Sequence, residues 1–79
     1  MSDARHLSIS AGDLILTESF DGFDFLVVGL VTDHDVTSIE AISLPRRPST
    51  LNVMRQVSLS YKIVSIFIDG GRWALVKAS

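Results

Sequence analysis

Short apolar or alternating stretches bounded by turn signals run along this chain, the marks of β-strands. Leu14–Phe20 and Phe23–Val31 flank Asp21-Gly22, a dipeptide suited to the two positive-φ positions of a type I′ turn. A two-residue turn there sets Phe20 opposite Phe23, Glu18 opposite Phe25, Leu16 opposite Val27 and Leu14 opposite Gly29. One face is then apolar except for Glu18. The other is polar near the turn at Ser19, Asp24 and Thr17, and apolar further on at Ile15, Val28 and Leu30. A sheet that curls on itself produces such a gradient.

Val36–Leu44 reads as a further strand, entered through the polar turn Thr32-Asp33-His34-Asp35. Pro45-Arg46-Arg47-Pro48-Ser49-Thr50 reads as a loop, because both prolines lack a donor and restrict the preceding residue. In Leu51–Tyr61 the residues Leu51, Val53, Val57, Leu59 and Tyr61 share a face that Arg55 interrupts, with Asn52, Gln56, Ser58 and Ser60 opposite. A short helix capped by Ser49 or Thr50 and using Leu51, Met54 and Val57 competes with this strand; period and β-branched content favour the strand. The alternation slips phase at Ser60-Tyr61-Lys62, where a bulge or a 3₁₀ turn would absorb it. Ile63–Asp69 and Arg72–Lys77 then form a second hairpin about Gly70-Gly71. It sets Asp69 opposite Arg72, Ile68 opposite Trp73, Ile66 opposite Leu75 and Val64 opposite Lys77.

The expected fold is all-β: a small SH3-like barrel, or a strongly bent antiparallel sheet of five to six short strands. The outline resembles small SH3-like barrels, with Gly12-Asp13-Leu14-Ile15 opening the first strand and a 3₁₀-like break before the late ones. That resemblance is one of pattern and includes no diagnostic motif. Residues 1–10 are expected to be a flexible N-terminal segment and 11–79 a single domain.

Composition adds a surplus. The chain has 79 residues, 47% of them hydrophobic, and no cysteine, so its stability rests on packing without disulfides. So small a domain cannot bury that much apolar surface alone, which points to another protein or a second copy as partner. No signal peptide is visible, and the longest apolar run, Phe25–Val31, is too short to span a membrane. A cytoplasmic protein without a membrane partner is the expectation.

Charge is segregated. Eight of the nine acids precede residue 41, where Arg5 is the single base, giving a net −7. Arg46, Arg47, Arg55 and Lys62 meet no acid before Asp69. Asp21, Asp24, Asp33 and Asp35 fall at turn ends and would steer towards a basic protein surface if folding gathers them. Leu26, Val28 and Leu30, if outward-facing, offer the apolar part of an interface, with Arg46, Arg47 and Arg55 on its other side. Glu18 and Arg55 interrupt apolar faces, either as a pair or where those faces reach solvent.

Candidate chemistry is sparse. Asp33-His34-Asp35 offers two carboxylates and an imidazole but no further ligand nearby, and it reads as a polar turn. His6 and His34 lack a nucleophile and an orienting group in rigid company, so no catalytic set, cofactor or metal is expected. Acidity overall and the lack of aromatics among the bases argue against nucleic acid. Arg46-Arg47-Pro48-Ser49 matches a basic phosphorylation sequence, a short pattern common by chance. The function expected is a non-enzymatic protein-interaction module or subunit, in the manner of a phage or mobile-element inhibitor of a larger complex. A structural homo-oligomer is the alternative, and a nucleic-acid-binding barrel a more distant one.

Overall fold

The structure, a computed structural model, describes residues 8–17, 22–45 and 54–78. Its elements are β1 (Leu14–Leu16), β2 (Phe23–Asp33), β3 (Val36–Pro45), β4 (Arg55–Ser60), α1 (Tyr61–Asp69) and β5 (Ala74–Val76). They form one five-stranded antiparallel sheet in the order β4-β3-β2-β1-β5, so the fold is mostly β with one short helix. The sheet is not closed. β4 and β5 are its two edges, which makes it an open sheet and not a closed barrel.

The β2–β3 hairpin is its longest pairing, running from Phe23↔Pro45 to Asp33↔Val36. The polar turn is tighter than the four residues expected. Thr32 and Asp33 remain in the strand, leaving His34 at φ 52° and Asp35 at φ 66° as a two-residue turn of the type I′ kind. Short polar side chains such as Asp tolerate this left-handed region, and the Thr32 and Thr37 hydroxyls, 3.0 Å apart, support the pair below it. A bulge between Val27 and Gly29 reverses the face parity of β2 along its length.

The first hairpin differs from the register an Asp21-Gly22 turn would impose. Leu14 pairs with Leu26 and Ile15 with Phe25, a slip of three residues. An odd slip exchanges faces, and it is the core that selects this one: Ile15 and Phe25 now point together to the buried side, where Leu75 joins them from β5. The connection is closed by the Thr17 hydroxyl donating to the Phe23 carbonyl at 3.0 Å, and by the Thr17 amide donating to Asp24 Oδ1 at 3.4 Å. Asp21 and Glu18 lie outside the described residues, as do Arg46, Arg47, the proline loop and residues 51–53.

The second hairpin is corrected. Residues 63–69 are not a strand; they belong to α1, and β5 pairs with β1 instead. The strand template fits Val64, Ile66 and Ile68 and the helix template fits Tyr61, Val64 and Ile68, so local pattern leaves the segment ambiguous. Its environment decides. Ser60, at φ −71° and ψ 124°, caps the helix by accepting the Ile63 amide on Oγ at 3.2 Å, which is where the strand phase slips. Tyr61, Val64 and Ile68 share the helical face turned to the core, while Ile63 and Ile66 remain 53% and 58% exposed. The helix ends where Gly71, at φ 82°, turns the chain, with the Arg72 and Trp73 amides both donating to the Phe67 carbonyl. Arg72 therefore stacks over the Phe67 ring at 5.9 Å and does not face Asp69 across a ladder. Of the segment for which a short helix competes, Arg55–Ser60 is strand, while residues 49–53 lie outside the described residues.

The core lies between α1 and one face of the sheet. Ile15, Val27, Ile39, Ala41 and Val64 are essentially inaccessible, and Trp73 closes the end, edge-on to Phe67 at 5.0 Å and 6.0 Å from Phe25. Ile9 is a core residue as well, held by its amide donating to the Tyr61 hydroxyl at 3.2 Å. The packed domain thus begins before residue 11.

One buried carboxylate joins both ends of the described chain. Asp13 is 1% exposed and accepts from the Ser10 amide at 2.9 Å, the Ala78 amide at 3.0 Å and Lys77 Nζ at 2.7 Å. Lys77 Nζ also donates to Ser10 Oγ and to the Ser8 carbonyl. Burial raises the Asp13 pKa, but the Lys77 hydrogen bond, the two amides and the Lys77 charge outweigh it and hold the carboxyl at about 2. The adjacent Gly12, at φ 96°, lies where a Cβ would come within 3.2 Å of Ala78 Cβ, so the turn into β1 requires glycine.

Two predictions follow from these contacts. Ser60→Ala removes the helix cap and should lower unfolding free energy by about 1 kcal/mol in urea titrations, whereas a strand over 61–69 would leave it within error. Because the Asp13 pKa is depressed on folding, its stabilisation is complete above about pH 4 and is lost as pH falls towards 2. Asp13→Asn sets a donor either against Lys77 and Ser10 or against the Ala78 amide. It should cost about 2–3 kcal/mol at neutral pH and flatten the fall of the melting temperature between pH 4 and 2. A variant as stable as wild type would refute the clamp.

Candidate binding surfaces

The parity reversal in β2 decides which expected interface residues share a surface. Leu26 pairs with Ile42 on the face away from α1, while Leu30 pairs with the buried Ile39 on the α1 side. Val28 sits at the bulge, 44% exposed. Leu26, Val28 and Leu30 therefore do not form one continuous stripe.

The register builds a different one. Across the outer face, Val76, Leu14, Leu26 and Ile42 align on four adjacent strands, with Leu16 and Leu44 in the neighbouring row. Five of these six are half-buried and Val76 is 47% exposed. Polar residues flank the stripe on the β4 side, where Gln56 Nε2 donates to Glu40 Oε1 at 3.3 Å. Sequence reading missed Leu14, Ile42 and Val76 because their alignment depends on the β1 register and on β5 pairing with β1. Neither is visible in local alternation.

Among the described residues, Asp24, Asp33 and Asp35 do not gather into one patch. Asp24 stands near the start of β2 and Asp33 at its end, roughly 30 Å apart at the usual rise per strand residue. Asp24 is half-buried and engaged with Thr17, whereas Asp33 and Asp35 are exposed at the hairpin tip. Arg55 is exposed at the opposite end of the sheet from that tip, opposite Ser43.

At the tip, Asp33 Oδ1 lies 3.4 Å from His34 Nε2, with both side chains largely in solvent. Among the described residues no three His, Asp or Glu converge as a metal site would require. A half-open cleft of about 560 Å³ lies between this tip and the start of α1, lined by Asp35, Val36, Thr37, Ser60, Tyr61 and Lys62. One acid and one base border it. The Ser60 hydroxyl there is committed to the helix cap, and the Tyr61 hydroxyl to Ile9. No helix among the described residues is long and apolar enough to cross a membrane. No family model matches the chain, and no curated protein or solved structure matches it either.

Proposed function

We propose that this chain is a non-enzymatic protein-interaction module that docks on a larger protein through the outer face of its sheet. The observation that carries the proposal is the aliphatic row Val76, Leu14, Leu26 and Ile42, set on four strands of one rigid sheet opposite the helix-covered face. Side chains held this way lose little further freedom on binding, so burying them yields most of their transfer free energy, about 25 cal/mol per Å². Glu40 and Gln56 provide a polar rim beside it.

Two further features support a binding role over chemistry or nucleic acid. The cleft beside the hairpin tip offers hydroxyls already committed to the fold and no buried nucleophile–base pair. Among the described bases, Lys77 is committed to Asp13 and Arg72 lies over Phe67, which breaks up any continuous basic track. The strand order, each strand beside the one before it and β5 returning to β1, supports reading the sheet as an opened small barrel of the SH3-like kind.

The test uses the intact protein as bait in lysate of its host, comparing wild type with Ile42→Glu and with Lys62→Glu, an exposed control on α1, across the sheet from this face. A specific protein partner should be recovered by wild type and the control, and about tenfold less by Ile42→Glu at unchanged melting temperature. Equal recovery by all three baits, or recovery of the bait alone, would rule this docking face out.

A further inference from the structure

The sheet has a third bare edge, inside the long hairpin. β1 accompanies β2 only as far as Val27, whose amide donates to the Asp13 carbonyl at 2.9 Å and whose carbonyl accepts from Gly12 at 2.8 Å. Beyond it, Gly29–Asp33 pair with β3 on one side and with no described residue on the other. The two-residue turn makes Asp33 and Val36 the closing bonded pair. By alternation Val31–Ser38 and Gly29–Glu40 are bonded too, so Leu30 and Thr32 turn their N–H and C=O groups to the open side. Leu30 is 42% and Val31 49% exposed, on opposite faces, and no lysine or proline protects this stretch.

We propose that this edge of β2 pairs antiparallel with the same edge of a second copy, about a two-fold axis at Val31. Leu30 then lies opposite Thr32 of the second copy, and the reverse, giving about four backbone hydrogen bonds from groups that meet no described residue in the monomer. The two Val31 side chains meet as a non-bonded β-branched pair, the arrangement in which side chains approach closest. Asp33 lies opposite Gly29 of the second copy, where an added Cβ would meet nothing within 4 Å, so there is room for the carboxylate.

Charge selects the orientation. The hairpin tip carries Asp33 and Asp35. Parallel pairing would set four carboxylates side by side, whereas the antiparallel register holds the two tips roughly 20 Å apart, about two Debye lengths at physiological salt. The register also stops at Val28, short of the Gly12-Asp13 segment that already occupies the edge at Val27, so neither copy displaces the other's β1. An interface confined to one arm is small, which makes the pairing reversible and concentration-dependent.

The test is independent of the outer docking face. Mass by light scattering should rise from 8.6 kDa towards twice that value between about 1 and 200 µM, the range expected for so small an interface. Val31→Lys places two ammonium groups at the axis and should keep the mass at 8.6 kDa throughout, with unchanged melting, while Ile42→Glu should still associate. The chain has no cysteine, so Val31→Cys can crosslink only to another copy. It should oxidise to a disulfide dimer at least about tenfold faster than Met54→Cys, a more exposed control with no place in the interface. A constant monomer mass, association that survives Val31→Lys, or equal oxidation of the two cysteine variants would each overturn the proposal.

Discussion

The fold depends on the carboxylate of Asp13. β1 and β5 are three residues each, too short to hold the end of a sheet through ladder bonds alone. Asp13 compensates by gathering donors from both sides of the chain: the Ser10 amide before it, and Lys77 and the Ala78 amide after β5. A single side chain thereby closes a sequence separation of more than sixty residues. The same arrangement brings Ile9 into the core, because the turn from Ser10 to Asp13 sets the direction in which the preceding residue enters. Lys77 lies at the surface end of this cluster, half exposed, so its charge remains partly hydrated while it neutralises a carboxylate that has lost its water.

How far the fold can be read from sequence depends on how local each determinant is. The turn at His34-Asp35 and the alternation of β3 and β4 are local, and strands over 36–44 and through Arg55–Ser60 follow from them. Helix α1 is not local in this sense. Its β-branched residues suit a strand, and what makes it a helix is the Ser60 cap together with a core that accepts Tyr61, Val64 and Ile68 and leaves Ile66 outside. The β1 register is also non-local. Asp-Gly is a strong hairpin signal by itself, but it yields to the requirement that Ile15, Phe25 and Leu75 lie on one side. An odd register error exchanges every inside residue for an outside one, which is why Leu26 was legible as a surface residue while its neighbours Leu14, Ile42 and Val76 were not.

The separation of charge along the sequence does not become a separation on the surface. Asp13 and Lys77, from opposite ends of the chain, neutralise each other inside one cluster. Asp24 and Asp33 end at opposite ends of a single long strand, and Arg55 lies near the Asp24 end. A sheet that folds back on itself at every turn interleaves the two halves of its sequence. For the described residues, then, linear charge asymmetry does not report a surface dipole, and the apolar geometry of the sheet carries the functional reading.

The clamp that closes the sheet at β5 is also what leaves β2 bare further along. Had the chain before Asp13 continued straight, it would have run alongside Val28 to Asp33 and covered that edge. Gly12 in the left-handed region and the Asp13 amide bonded back to the Ser10 carbonyl turn it away at Val27 instead. The bulge at the same level reverses the parity of β2, so that beyond the end of β1 Leu30 emerges on the α1 side and Val31 on the outer face. One local structure thus seals the core on one side and ends the neighbouring strand on the other. A chain without disulfides gains stability from the first consequence. The second leaves a strand edge whose outward donors and acceptors meet no described residue, and the proposed pairing matches them residue by residue with a copy of the same edge in reverse.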